Sequence, residues 1–164
     1  MARRVLKPTD VSHPPENDSA ISLRELATRH RVDAAERRLS AAKTYTQVID
    51  AIDEILVHLV GVARLAIIER QKGGPRVVHS RKASAPWTDT SGARGEAGLT
   101  ATVPLILAGR LLATVVVFGF RGTKRRLDVD DRLILHVIAR SGALAMQRAR
   151  VESERPTLRV PKVG

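Results

Sequence analysis

The stretch "ATVPLILAGRLLATVVVFGF", Ala101 to Phe120, is almost wholly apolar but is interrupted by Pro104 and by the pair Gly109–Arg110. A membrane-spanning helix needs about 20 unbroken apolar residues, so the interruption argues for two strands. The halves "TATVPLIL" and "LLATVVVFGF" are rich in Thr, Val and Phe, and Ala108-Gly109-Arg110 supplies the tight turn between them. Both halves are apolar on both faces. They are therefore expected in the middle of a sheet covered on each side, with Pro104 marking a strand start or a bulge.

Upstream, the period changes to that of a helix. Ser22-Leu-Arg-Glu25 has capping-box spacing, and Leu23, Leu26, His30, Ala34 and Leu39 follow at nearly helical intervals, predicting a helix over residues 22–42. Its apolar stripe is narrow, and Arg24, Arg29, Arg31, Arg37 and Arg38 crowd the other faces, so it requires a partner helix. "TYTQVIDAIDEILVHLVG" predicts a second helix over 44–60. Tyr45, Val48, Ile49, Ile52, Leu56 and Leu59 line one face, Asp50, Asp53 and Glu54 are placed opposite, and Gly61 ends the run. "ARLAIIER" and "RVVHSR" read as strands joined by the turn Lys72-Gly73-Gly74-Pro75.

From Ala83 to Gly98 the pattern fails, leaving a long loop whose one large apolar group is Trp87; loops of this length inside a domain are often functional. A further strand at "WTDTSGARG" would bring the sheet to about five. The last helix, 129–153, takes Asp128 as its N-cap, with Asp130 and Asp131 placed favourably against the helix dipole. It carries two apolar strips. One is Leu133, Ile134, Val137, Ile138, Ser141 and Ala145, and the other is Leu135, Gly142 and Met146. Residues 1–20, with Pro8, Pro14 and Pro15, read as a disordered tail and 154–164 as a flexible one, leaving 21–153 as a single domain. The expected class is α/β (α+β): a central antiparallel sheet of about five strands flanked by the N-terminal and C-terminal helices on one face.

Composition sharpens this picture at three points. Aromatics make up only 2% of the 164 residues, so the core must be aliphatic. Cysteine is absent, which excludes disulfides, thiolate metal sites, cysteine nucleophiles and cysteine-linked chromophores. No apolar run follows "MARRVLKPTD", so no secretory signal is expected and the placement expected is cytoplasmic. The net charge of +11 admits nucleic acid, an acidic protein or an anionic membrane surface as partner; an arginine-rich composition of the kind GC-rich genomes encode produces the same number.

Candidate chemistry is sparse. Asp50, Asp53 and Glu54 read as solvated helix charges, and Asp128, Asp130 and Asp131 as cap and dipole partners, rather than as acid–base pairs. His13, His30, His58, His79 and His136 form no H-x-x-x-H or H-E-x-x-H pair, so no metal site and no cofactor is expected. No G-x-S-x-G nucleophile turn occurs. The cluster "RGTKRR" places Arg121, Lys124, Arg125 and Arg126 in one exposed basic turn suited to phosphate contact, although no aromatic platform lies beside it for single strands. The chain is not expected to be an enzyme.

Three segments resemble the GAF domain, a small-molecule-sensing and regulatory module of bacterial signalling proteins. "TATVPLILAGRLLATVVVFG" resembles its paired central strands. "RLDVDDRLILHVIARSGALAMQRAR" resembles its closing helix, and "QVIDAIDEILVHLVGVARLAIIE" its first helix leading into the first strand. The resemblance covers about residues 40–150 and rests on apolar and small-residue patterns. It implies a fold and a regulatory role. The cyclic-nucleotide signature of Asn-Lys, Phe and Asp-Glu is absent, as are the family's bilin-linking and sulfoxide-reducing cysteines, so no ligand is carried over.

The expected function is accordingly a non-enzymatic regulatory or signalling module acting on a separate partner protein, with a basic nucleic-acid-associated factor as the rival. A small ligand would sit between the sheet and the Ala83–Gly98 loop, under Trp87, with His79, Arg81 and Thr102 as polar contacts; alternatively Trp87 plugs the open edge of the core. A homodimer is expected through Leu26 and Leu39 of the first helix and Leu135, Gly142 and Met146 of the last, because these lie off the faces a sheet can cover. Dimers of the resembled family commonly pair through such helices. The alternative is that the first helix folds over the last within one chain.

Overall fold

The computed structural model describes residues 16–83 and 99–154, with side chains from residue 23 onward. The tail expectations for 1–15 and 155–164, residue Trp87 and the fifth strand expected in 87–95 fall outside the described residues. The chain opens with α1 (Glu16–Ala41), which starts ahead of Ser22. The stretch after Pro15 contains no helix breaker, and Glu16 and Asp18 suit a first turn by the sign of the helix dipole. The second helix, α2 (Tyr45–Ile55), has a true capping box: the Thr44 hydroxyl accepts from the Gln47 N–H while the Gln47 side chain accepts from the Thr44 N–H. It continues as a π turn (Leu56–Val60) and stops at Gly61, whose φ of 81° is the left-handed cap that a residue without Cβ adopts cheaply.

Four strands follow: β1 (Val62–Gln71), β2 (Gly74–Arg81), β3 (Ala101–Leu107) and β4 (Arg110–Phe120). They form one antiparallel sheet in the order β2-β1-β4-β3. The described residues thus give four strands where about five were expected. One strand is also placed differently. Of the two strands read from the long apolar run, β4 is central and covered on both faces, whereas β3 is an edge strand in which Val103 and Leu105 are buried and Thr102, Pro104 and Ile106 are exposed. An edge is where a proline without an N–H is tolerated, which accounts for Pro104.

The chain closes with α3 (Val129–Val137), a second π turn (Ile138–Gly142) and α4 (Ala143–Glu154). Asp128 is the N-cap of α3 in a reciprocal box with Asp131. All the helices lie on one face of the sheet. There Leu65, Ile67, Val103, Leu105, Val115 and Val117 pack against Ile52, Ile55, Leu56, Ile134, Ile138 and Met146 in one aliphatic core. A smaller cluster of Ala66, Ile68, Val116 and Phe118, joined by Val77, Ala83 and Leu99, occupies the other face. Helix α1 packs against α2 and α3.

Candidate interaction surface

Three buried carboxylates organise the charged groups. Asp53 of α2 is only 3% exposed, not solvated as its sequence context suggested. The Arg81 guanidinium grips it with Nε at 2.8 Å and Nη2 at 2.5 Å from its two oxygens, and His79 Nε2 lies 2.9 Å away. Burial alone would raise the Asp53 pKa, but the hydrogen bonds and charges of Arg81 and His79 outweigh it and hold the carboxyl below its ordinary value. The same contact raises the pKa of Arg81. Asp131, fully buried at the start of α3, takes Lys124 Nζ at 2.5 Å and Arg31 Nη2 at 3.1 Å. Those cations also donate to the carbonyls of Val60 and Leu59 at the end of the first π turn. Glu69 of β1 is held by Arg150 of α4 and by Gln71 Nε2 at 2.9 Å. Each carboxylate ties together elements distant in sequence: α2 to β2, α1 to the turn before α3, and β1 to α4.

The residues expected to line a ligand site are not brought together. His79 registers with Ile67 and Arg81 with Leu65, so both reach the helical face of the sheet and serve Asp53. Thr102 registers with Val116 on the opposite face, and β2 and β3 are the two opposite edges of the sheet. Trp87 lies outside the described residues. The expected basic turn is also divided. Arg121, Arg125 and Arg126 are exposed, but Lys124 is drawn inward by the buried charge of Asp131, with its ammonium 5.4 Å from the Phe120 ring centre.

The expected dimer residues fare similarly. Leu39 and Met146 are fully buried, Leu135 is buried, and Gly142 faces Ile52 and Leu105 of its own chain. The first helix folds over the last within one chain, and these side chains are core. Leu26 alone of the five remains exposed, at 51%. Leu23 on α1, and Val129 and Leu133 on α3, also stand in solvent. A groove between the two helices is lined by Arg24, Glu25, Thr28, Arg29, Asp130 and Leu133, with Val32 at its base, and Arg24 and Asp130 bridge it at 3.4 Å.

The buried acids were within reach of sequence reasoning. Asp53 lies four residues after Ile49 and three before Leu56, inside the apolar stripe rather than opposite it. Glu69 continues the Leu65, Ile67 alternation onto the helical face. Charges at such positions signal paired, buried groups.

No family model and no curated sequence matches the chain. A solved structure does. The GAF domain of the potassium sensor histidine kinase KdpD from Escherichia coli aligns with a TM-score of 0.56 at 12% identity, covering 75% of this chain and 95% of that one. The fold is GAF-like. The neighbour belongs to a sensor protein, and the GAF-like layout of helices on one sheet face is what the three resembling segments implied. Among the described residues, no helix is long and apolar enough to cross a membrane.

Proposed function

We propose that this GAF-like chain is a non-enzymatic regulatory or signalling module that acts through protein–protein contact, first of all with a second copy of itself. The observation that carries the reading is the exposed apolar surface of Leu23, Leu26, Val129 and Leu133 on the outer sides of α1 and α3. Exposed aliphatic side chains on two helices whose shared groove, lined by Leu133, carries both charge signs suit an isologous contact, in which Arg24 and Arg29 of one copy meet Glu25 and Asp130 of the other. A cytoplasmic signalling protein is the second partner expected for this surface. Sedimentation equilibrium at micromolar concentration tests the reading. A dimer that Leu26→Arg with Leu133→Arg converts to monomer, with an unchanged circular dichroism spectrum, supports it; a monomeric unaltered chain overturns it.

Small-ligand sensing is the finer part of the same proposal and concerns the sheet face of Ala66, Ile68, Val116 and Phe118. Melting-temperature shifts across a panel of nucleotides and metabolites test it, and a flat panel removes it. A second reading, contact with nucleic acid, is favoured by the exposed turn of Arg121, Arg125 and Arg126. Retention of duplex DNA that weakens steeply with salt would support that reading.

A further inference from the structure

The sheet carries a charge imbalance of its own. Between Val62 and Ala83 and between Leu99 and Phe120, seven basic residues face a single carboxylate, Glu69, which is already buried against Arg150 and Gln71. Arg81 is neutralised by Asp53, and Arg64 lies over the Phe118 ring while donating to the Lys82 carbonyl. Arg70, Lys72 and Arg110 differ: all three are exposed, and none joins an ion pair among the described residues. The sheet register gathers them. Strands β1 and β4 are neighbours with Glu69 opposite Ala113, so the Lys72-Gly73 turn and the Ala108-Gly109 turn stand at the same end of the sheet. Between these two hairpin tips lies a half-open cleft of about 450 Å³, lined by Arg70, Gln71, Lys72, Gly109, Arg110 and Leu111.

We propose that this hairpin-tip cleft binds an oligophosphate, an anion of two or more linked phosphoryl groups. Two guanidinium forks match the paired oxygens of successive phosphoryl groups, and the Lys72 ammonium adds a mobile point charge. None of the described residues lining the cleft is a carboxylate that would compete for these cations. Its volume is that of a small-ligand site rather than of a track for a long polymer. No aromatic side chain lines it either, so recognition rests on the phosphate chain and not on a stacked base. Gly109, at φ 73° and with open space where a Cβ would stand, leaves the turn backbone accessible to the anion. The site is separate from the Arg121–Arg126 turn, which follows the other end of β4.

Titration calorimetry of the full chain with sodium tripolyphosphate, and in parallel with a short DNA duplex, tests the assignment. Saturable one-to-one binding of tripolyphosphate is expected. Each lost guanidinium contact should weaken it about tenfold, so Arg70→Gln with Arg110→Gln should abolish measurable binding. Arg121→Gln with Arg125→Gln should leave it unchanged. These positions are exposed, and a melting curve like that of the unaltered chain is expected for every variant. Lys72→Gln, expected to weaken binding less than tenfold, serves as the readout if the double variant fails to fold. No tripolyphosphate binding, equal losses from both pairs, or a Lys72→Gln variant that binds fully would each overturn the proposal. Duplex binding without tripolyphosphate binding would overturn it in favour of a nucleic-acid backbone.

Discussion

The two ends of α1 obey the same sequence rule and have opposite fates. Near its C-terminal end, Leu39 is fully buried, Ala35 beside it is buried, and Arg31 reaches the enclosed carboxylate of Asp131. Near its N-terminal end, Leu23 and Leu26 stand in solvent, and Arg24 makes only an exposed, long bridge to Asp130. Both ends present apolar residues at helical spacing among arginines, Leu23 and Leu26 at one and Ala35 and Leu39 at the other. An apolar stripe on a helix therefore announces that a partner is needed without saying whether that partner lies in the same chain. In this molecule one end of the helix finds it in α2 and α3, and the other presents its leucines outward.

Four substitutions sharpen or break that contrast. Asp131→Ala should cost the most, about 3–5 kcal/mol of unfolding free energy, because Lys124 and Arg31 lose their buried counter-charge and the Asp128 N–H loses its acceptor. Urea denaturation measures it, and a loss below about 1 kcal/mol would mean that the anchor is not structural. Leu39→Ala should cost about 2–5 kcal/mol by leaving a cavity between the helices. If it proves as mild as a surface change, the buried end of α1 is not packed as described.

Asp53→Asn should cost about 1–2 kcal/mol, less than Asp131→Ala because asparagine keeps a side-chain oxygen that can still accept from Arg81 and His79. The same contact sets a pH dependence. Asp53 has a lower pKa folded than unfolded, so in acid the unfolded chain binds more protons and stability rises with pH across that interval. The stabilisation is present above the ordinary aspartate value of about 4 and is lost as pH falls through the lower folded value. Comparing unaltered and Asp53→Asn chains from pH 6 down to pH 2 should show the difference narrowing. The smallest effect belongs to Leu26→Ala, which should change monomer stability by no more than about 0.5 kcal/mol while weakening self-association.

The helices, the four strands and the Asp128 cap were legible because their signals are local: an apolar period, an acid ahead of the last helix, glycines at turns; the capping-box spacing at Ser22 misled, since α1 begins at Glu16, and the box at Thr44 was not read. What escaped depended on the partner of each surface. The second apolar strip of the last helix looked like surplus surface because a straight α-helix would point it away from the sheet. Leu135 is buried ahead of the π turn at Ile138–Gly142 and Met146 after it, because α1 and α2 pack over the closing helix and cover the strip. The scatter of the described members of the ligand set has a similar cause. The register break between Ile67 and Ile68 and the strand order decide which face His79, Arg81 and Thr102 occupy, and neither is written in a run of single-strand residues.

Pro104 bears on how molecules of this protein meet in a crowded solution. Among the described residues the four-stranded sheet has two unpaired rims, and a bare rim invites further strands from neighbours. At β3 a newcomer would find no N–H at Pro104 in the middle of the strand; at β2 it would meet Pro75, Arg76 and Arg81. Stacking copies through their sheets is discouraged at both rims, which leaves the helical side as the easier route for any ordered, self-limiting contact.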